Sequence, residues 1–532
     1  MTTTTADAVV IGAGPNGLVA ANVLAERGWD VVVLEAASSP GGAVKTSELT
    51  IPGFHHDHFS AFYPLGAASP VLQALRLEEH GLRWLRSPLV AVNPTPDGPT
   101  AVISTDIEVT AASLDRFAAG DGEGWRRLYQ RWCELDPHLI RALLDPFPPV
   151  RGGLGIARAL QRSGGLAELA RFARFALLPV RRMGEENFDG AGGALLLAGN
   201  ALHADLVPES TLSGIYGWLL SMLGQQVGFP VPEGGAGQLT AALVKRLAAH
   251  GGEVRCGQRA VAIDVRDGRV RSVTTAEGST VTARRAVLAD VSAPALYLDL
   301  LPSAVVPSRV MGDIKTFEWD TSTVKVDWAL RQPIPWSADE CRLAGTVHLA
   351  DSVDHLSDVG HALATRRIPA HPFCVVGQHS MTDPTRMPAG AETAWAYIHV
   401  PQRPADDAGG DGITGDWASG DGELLASRIE AVMESRAPGF RASVLGRHVY
   451  TPASMQAEDA NLVGGALAGG TSQLHQELIF RPTPGLGRSE TPVHGLYLAS
   501  ASAHPGGGVH GACGHNAARA AIWHGRLRRF QG

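Results

Sequence analysis

The first patterned stretch of the chain is an apolar run, Ala8 to Ile11, broken by Gly12-Ala13-Gly14-Pro15-Asn16-Gly17. Short apolar runs bounded by turn residues read as strands buried on both faces, so a strand is predicted here, with a helix over Leu18 to Arg27 and a second buried strand over Asp30 to Leu34. A related alternation returns later. Val231 to Leu239 leads into a predicted helix over Thr240 to His250, Glu253 to Arg255 and Ala260 to Val265 alternate like strands, and Val281 to Ala289 follows. Near the end, Gly495 to Ala499 reads as a strand, His504 to Gly511 as a glycine-rich loop and Asn516 to Leu527 as a helix.

The strand–turn–helix–strand unit at residues 7–35 carries the parts needed to hold a dinucleotide. Gly12 makes the tight turn, Gly14 lets backbone approach a pyrophosphate, and Gly17 lets the helix pack on the strand. Phosphates would sit at the helix N-terminus, where unpaired N–H groups and the helix dipole favour negative charge. Glu35, ending the second strand, is placed to accept hydrogen bonds from a ribose diol, and its charge disfavours a 2′-phosphate. The glycines of Pro232 to Leu239 follow a proline turn rather than a buried strand, so they are not a second fingerprint.

Composition narrows the class. The chain has 532 residues, enough for two or more domains or one large interleaved unit. With 45% hydrophobic and 18% charged residues and a net charge of -8, it reads as globular and offers no concentrated basic face for nucleic acid. No charged leader or apolar h-region precedes the first strand and no apolar run has bilayer length, so a cytoplasmic protein is expected. Cys133, Cys256, Cys341, Cys374 and Cys513 are odd in number and scattered, with no CxxC or CxxxxC pair, which fits a reducing compartment.

Several segments in order resemble one family. They are Gly12 to Gly17, Pro40-Gly41-Gly42-Ala43-Val44-Lys45-Thr46, Pro52-Gly53-Phe54, Pro232 to Leu239, Arg436 to Phe440, Thr451-Pro452, Arg481-Pro482 and the closing His504 to Ala521. Together they are similar to the phytoene desaturase-like FAD-dependent oxidoreductases, over nearly the whole chain. The resemblance implies an α/β fold, with a Rossmann-type FAD-binding domain (residues 1–70, 230–300 and 480–532) interleaved with an α+β substrate-binding domain (71–229 and 301–479). It implies FAD contacts from Gly12, Gly14, Gly17, Glu35, Gly42, Ala43 and Val261, with Gly508, Val509 and His510 at the flavin's pyrimidine edge. His504 is the catalytic candidate beside the flavin ring, as proton handler or electrostatic tuner, against the alternative of a packing residue. Two departures stand out: Ala43 where carotenoid desaturases usually have arginine, and Ser500-Ala501-Ser502-Ala503 where many members read Gly-x-Gly-Thr.

The expected reaction is hydride transfer between flavin and a carbon–carbon bond of an apolar, isoprenoid- or polyene-like small molecule. The alternatives are a redox-neutral isomerase, an amine oxidase and a non-enzymatic prenyl-lipid binder. On the substrate side the expected residues are Asp57, His58, Gln473, His475 and Gln476. No metal is expected, because adjacent residues of His55-His56-Asp57-His58 alternate faces and only His56 and His58 could share one. Asp406 to Glu423 lacks an EF-hand pattern and is expected to be a solvated, mobile loop. Residues 151–182 hold seven arginines against Glu168, with Leu166, Leu169, Phe172 and Ala176 on one helical face. That pattern suits either peripheral contact with an anionic membrane or packing on the core.

Overall fold

The computed structural model describes residues 3–529. Its first layer is a sheet whose five parallel strands run, in spatial order, Leu496–Leu498, Thr280–Ala289, Thr3–Ile11, Val31–Leu34 and Glu253–Arg255. Val9 pairs laterally with Val287 and Val32, and alternate residues of the strand pack in two different apolar clusters, Ala8 and Val10 in one and Val9 and Ile11 in the other, so both faces are covered, as its unbroken apolar pattern requires. A hairpin of Ala260–Arg266 and Arg269–Thr275 extends the sheet antiparallel, against the first half of Thr280–Ala289. The strand Arg269–Thr275 escapes the apolar pattern because arginine, serine and threonine occupy five of its seven positions. Helices Pro15–Ala25, Gly237–Ala249 and Ala512–Arg529 accompany the sheet, their starts earlier by three or four residues than the apolar spacing predicts.

A second seven-stranded sheet runs Val444–Tyr450, Ser322–Leu330, Glu392–Val400, Cys374–Gln378, Ala344–Leu349, Leu89–Pro94 and Thr100–Ile103. Every pair in it is antiparallel except Ala344–Leu349 with Leu89–Pro94. Its two faces differ sharply, because successive side chains alternate. Val324, Val326, Trp328, Ala396 and Ile398 pack in one apolar cluster with Leu425 and Ile429 of helix Asp421–Arg436. The opposite face carries Thr323, Lys325 and Asp327, opposite His399, Tyr397 and Trp395.

Helices close the remaining side: Asp121–Leu144, Val150–Leu177, Val180–Asn187, Ala191–His203 and Ser213–Val227. A Cβ at Gly217 would lie 2.3 Å from the Leu197 carbonyl oxygen, so glycine is what lets the last two helices approach so closely. The buried indoles of Trp125, Trp132 and Trp218 donate to Gln225, Gln226 and the Leu128 carbonyl, which ties Asp121–Leu144 to Ser213–Val227 without leaving an indole N–H unsatisfied.

Two sequence expectations change here. The Asp406–Glu423 segment is held in place: Asp406–Asp407 pairs with Arg367–Ile368, the buried Arg428 binds Asp407 and Asp411, and Asp421 accepts N–H groups of Thr414 and Gly415. Residues 151–182 meet more acid than Glu168 alone, since Arg174 pairs with Glu186, Arg181 with Glu209 and Asp354, and Arg182 with Glu185 and Glu186. The helix breaks at Gly164 and Gly165. Leu160, Phe172 and Phe175 face the core, whereas Leu166 is 83% exposed. Among the described residues no helix is long and apolar enough to cross a membrane.

Candidate active site

The carboxyl ends of the parallel strands open into a continuous cavity of about 1260 Å³ that extends to the polar face of the second sheet. Ligand sites in open α/β sheets lie at such strand ends. The volume exceeds the roughly 300–1,000 Å³ of a site for one drug-sized molecule, which leaves room for a substrate beside a cofactor.

The nucleotide end is built from bare backbone. Gly12 sits at φ +93°, and a Cβ there would meet the Asp290 carbonyl oxygen at 2.7 Å. A Cβ at Gly17 would lie 2.2 Å from the Gly12 carbonyl oxygen, and one at Gly42 3.2 Å from the Gly14 Cα, so the two glycine turns touch. Helix Pro15–Ala25 starts from Gly14 with no side-chain cap on Gly14 itself; Pro15 has no N–H and Gly17 gives its own to Asp290, so Asn16, which lines the cavity, is the residue of the first turn that offers a backbone N–H there. Glu35 lines the cavity with its carboxylate held by the N–H groups of Ala13 (2.7 Å) and Ala37 (2.8 Å). A shape open only to backbone, a helix N-terminus and a fixed acid fit a dinucleotide.

Gly12, Gly14, Glu35, Gly42, Ala43, Val261, Gly508, Val509 and His510 all line this cavity. Gly17 stands behind the wall, its N–H donating to Asp290 Oδ2 at 2.7 Å. Asp290 itself is a lining residue that the sequence reading missed. Its signal was its position, at the carboxyl end of a parallel strand beside the first one. Burial pushes the Asp290 carboxyl up to about 8, with Asp459 and Glu35 adding in the same direction. Lys45 and Arg259 also line the cavity, and Lys45 stands two residues from Ala43.

Other expected site residues are elsewhere. His504 is buried but absent from the cavity wall; its Nε2 lies 3.2 Å from the Asp145 carbonyl oxygen and its ring packs edge-on against Phe147. Burial drives it down to about 4, so it is neutral at physiological pH. Asp57 is fully buried away from the cavity, accepting from Thr46 Oγ1, Ala236 N–H and the Arg386 guanidinium. His58 is fastened between Ser47 (2.7 Å) and Tyr450 (3.0 Å). Gln473 reaches Ser210, His475 pairs at the surface with Glu318, and Gln476 bonds the Glu318 backbone. Their neighbours Ser472, Glu477 and Leu478 line the cavity instead, so the segment was located and its inward residues were not.

Beyond the nucleotide end the wall is largely apolar: Leu139, Leu143 and Phe147 on one side, Leu212, Ile215, Leu219 and Leu220 on another, with Phe229, Val375 and Trp395. Loop 467–470, also in contact with the cavity, is held by the buried Asp320 carboxylate, which accepts N–H groups of Leu467, Ala468 and Gly470. Arg481 is fully buried and donates to the carbonyls of Ala468, Gly470, Thr471 and Ala501 and to Glu477. It knots this loop to the Ser500–Ser502 wall.

The comparisons agree with this architecture. Pyridine nucleotide-disulfide oxidoreductase domain-containing protein 2 of Rattus norvegicus is 29% identical, over 96% of this chain and 92% of its own. A phytoene desaturase (lycopene-forming) of Pseudescherichia vulneris is 27% identical, over 94% of this chain and 96% of its own. The solved structure of putrescine oxidase bound to putrescine superposes with a TM-score of 0.62 at 17% identity, over 98% of this chain and 99% of its own, and so shares the fold. The model of the family described as flavin containing amine oxidoreductase matches residues 16–353, more than half of the chain. The protein therefore belongs to the flavin-containing amine oxidoreductase family, as an FAD-dependent oxidoreductase with relatives among the phytoene desaturases.

Proposed function

We propose that the protein forms or saturates a carbon–carbon double bond in an apolar, isoprenoid- or polyene-like substrate. The observation that carries this reading is the apolar wall around Leu139, Leu143, Ile215, Leu219 and Phe229, continuous with the nucleotide cradle. It is supported by a relative whose name is that of a lycopene-forming phytoene desaturase. In desaturation, one hydrogen leaves carbon with two electrons and its neighbour leaves as a proton; saturation is the reverse. FAD supplies the two-electron chemistry. The chain binds and orients the apolar molecule and keeps water from it, through side chains that offer it no hydrogen bonds. We assign the FAD contacts to Gly12, Gly14, Glu35, Gly42, Ala43, Val261, Gly508, Val509 and His510, with Gly17 behind them holding the turn through Asp290, in a unit formed by residues 1–70, 230–300 and 480–532.

The test is anaerobic mixing of the FAD-loaded protein with polyenes and, separately, with primary amines. Loss of the flavin's visible absorbance with a polyene supports the proposal. Reduction by amines alone replaces it with amine oxidation.

Two predictions arise from the same site. His504→Asn is expected to lower FAD retention or melting temperature while leaving the single-turnover rate per bound flavin unchanged; a fall of a hundredfold, typical of a lost acid–base group, would return His504 to the chemistry. Asp290 predicts a pH effect. A buried acid whose folded value lies near 8 is favoured neutral, so its contribution to stability is lost as pH rises from about 4 towards 8. An anionic pyrophosphate beside it favours the neutral form further, so FAD affinity should hold below pH 8 and fall above it, by at most about tenfold per pH unit. Asp290→Asn should flatten that fall; an FAD dissociation constant already flat in the wild type up to pH 9.5 would contradict the assignment.

We also propose peripheral contact of residues 151–182 with an anionic membrane. Arg151, Arg158 and Arg162 are exposed, as are Val150, Leu154 and Leu166, and Pro149, just before this helix, lines the cavity. Sedimentation with phosphatidylglycerol vesicles, lost in Leu166→Glu, is the expected result. Equal sedimentation of the variant would place the contact elsewhere.

A further inference from the structure

One acid on the chamber wall has no counter-charge. Helix Ala191–His203 ends in a Schellman arrangement, the Asp205 N–H donating to the Leu202 carbonyl and the Leu206 N–H to the Ala201 carbonyl. Asp205 therefore stands where glycine is usual, at φ +65°, and the side chain kept there lines the cavity. Its Oδ1 accepts from the N–H (3.2 Å) and the hydroxyl (2.7 Å) of Thr321, which fixes the carboxylate's direction. Its Oδ2 has a single longer contact, 3.3 Å to Thr471 Oγ1, and keeps room for another hydrogen.

The loop that carries Thr471 also touches the wall assigned to the flavin. Ser502 Oγ donates to the Gly469 carbonyl at 2.9 Å, and a Cβ at Gly507, the residue before Gly508, would lie 2.8 Å from Ala468 Cα. The titratable groups around Asp205 are Asp320, whose carboxylate is taken up by the loop's N–H groups; His399, whose Nδ1 is 3.0 Å from Thr321 Oγ1; His203, paired with Tyr397; and the Arg481–Glu477 pair behind Thr471. Arg481 is the cation among them, and it is spent on Glu477 and backbone carbonyls. Burial holds His203 and His399 down at about 4, so both are neutral. Burial, and then the Asp320 charge, push the Asp205 carboxyl up to about 7. A carboxylate fixed in direction, open at one oxygen and unpaired with a cation is suited to take up and release a proton near neutral pH.

We propose that Asp205 is the catalytic base of the desaturation and takes from the substrate the hydrogen that leaves as a proton. The C–H bond breaks, its electron pair becomes the second bond of the new double bond, and the proton goes to Asp205 Oδ2. The hydrogen on the neighbouring carbon leaves with its own electron pair to FAD, the oxidant. In saturation the protonated acid returns the proton. This rests on the reading of the chamber as an apolar-substrate site and adds the residue that handles the substrate's proton.

Two measurements on the FAD-loaded protein test it. Dicyclohexylcarbodiimide, an apolar reagent that attacks protonated carboxyls, should label Asp205, and peptide mass mapping should show the label falling as pH rises through about 7. In anaerobic single turnover with phytoene, flavin reduction should rise with pH to a plateau above about 7, because the base acts when ionised. Asp205→Asn keeps an acceptor for Thr321 and a residue tolerant of the left-handed backbone, so FAD content and melting temperature should hold while the rate falls about a hundredfold or more. If that variant does not fold, the labelling and the pH profile of the wild type decide. No label on Asp205, a flat wild-type pH profile, or an unchanged rate per bound flavin in Asp205→Asn overturns the base and leaves the apolar-substrate reading standing. Flavin reduction by amines alone overturns that reading and the base with it.

Discussion

Gly14→Val is expected to give a folded, colourless protein. The added side chain would project toward the Asp290 carboxylate, since even a Cβ there lies 2.9 Å from Oδ2, and would fill the space in which backbone must approach the pyrophosphate. Asp290 is a side chain and can turn aside, so the fold should survive while FAD does not stay bound. Gly17→Ala is the sterner case. Its Cβ would lie 2.2 Å from the Gly12 carbonyl oxygen, which is backbone and cannot give way without moving the turn itself. Overpacking of this kind costs about 1–3 kcal/mol or more, so this variant should lose both FAD and thermal stability. Flavin content per mole of protein, read with the melting temperature, separates the two. Retention of stoichiometric FAD by Gly14→Val would remove the N-terminal glycine turn from the cofactor site.

Asp57→Ala is expected to lose about 3–5 kcal/mol of stability, the usual result of removing one partner of a buried ion pair. Neither Asp57 nor Arg386 has any side-chain exposure, and their contact is 2.9 Å. The Asp57 carboxylate also accepts from Thr46 and from the Ala236 N–H, so its removal leaves a buried guanidinium without its counter-charge and takes the acceptor from two further donors. Urea unfolding of the wild type and the variant measures the loss. A substrate-binding role would instead weaken substrate affinity in a protein of ordinary stability, and near-wild-type unfolding would revive that role.

Local sequence determined the nucleotide end. An apolar run, glycines at fixed spacing and a terminal acid are consequences of short-range geometry, so Gly12, Gly14 and Glu35 could be placed before any tertiary structure was known. Gly42, Ala43, Val261 and Gly508 to His510 came from the family resemblance, and the fold gathers them on one wall because parallel strands deliver their carboxyl ends to one edge. The facing of isolated polar residues was not legible in the same way. Asp57, His58 and His504 sit in motif segments, but which way each points depends on Arg386, Tyr450 and Asp145, distant in the chain. Asp290 was hidden for the converse reason: nothing near it in sequence marks it, and only the pairing of Thr280–Ala289 with Thr3–Ile11 brings it under the glycine turn. The polar wall of Thr323, Tyr397 and His399 is likewise a product of strand register, in which alternation sends these residues to the cavity and Val324, Ala396 and Ile398 to the core. Sequence periodicity could show that two faces exist; only the packing of helix Asp421–Arg436 on one of them left the other to the substrate chamber.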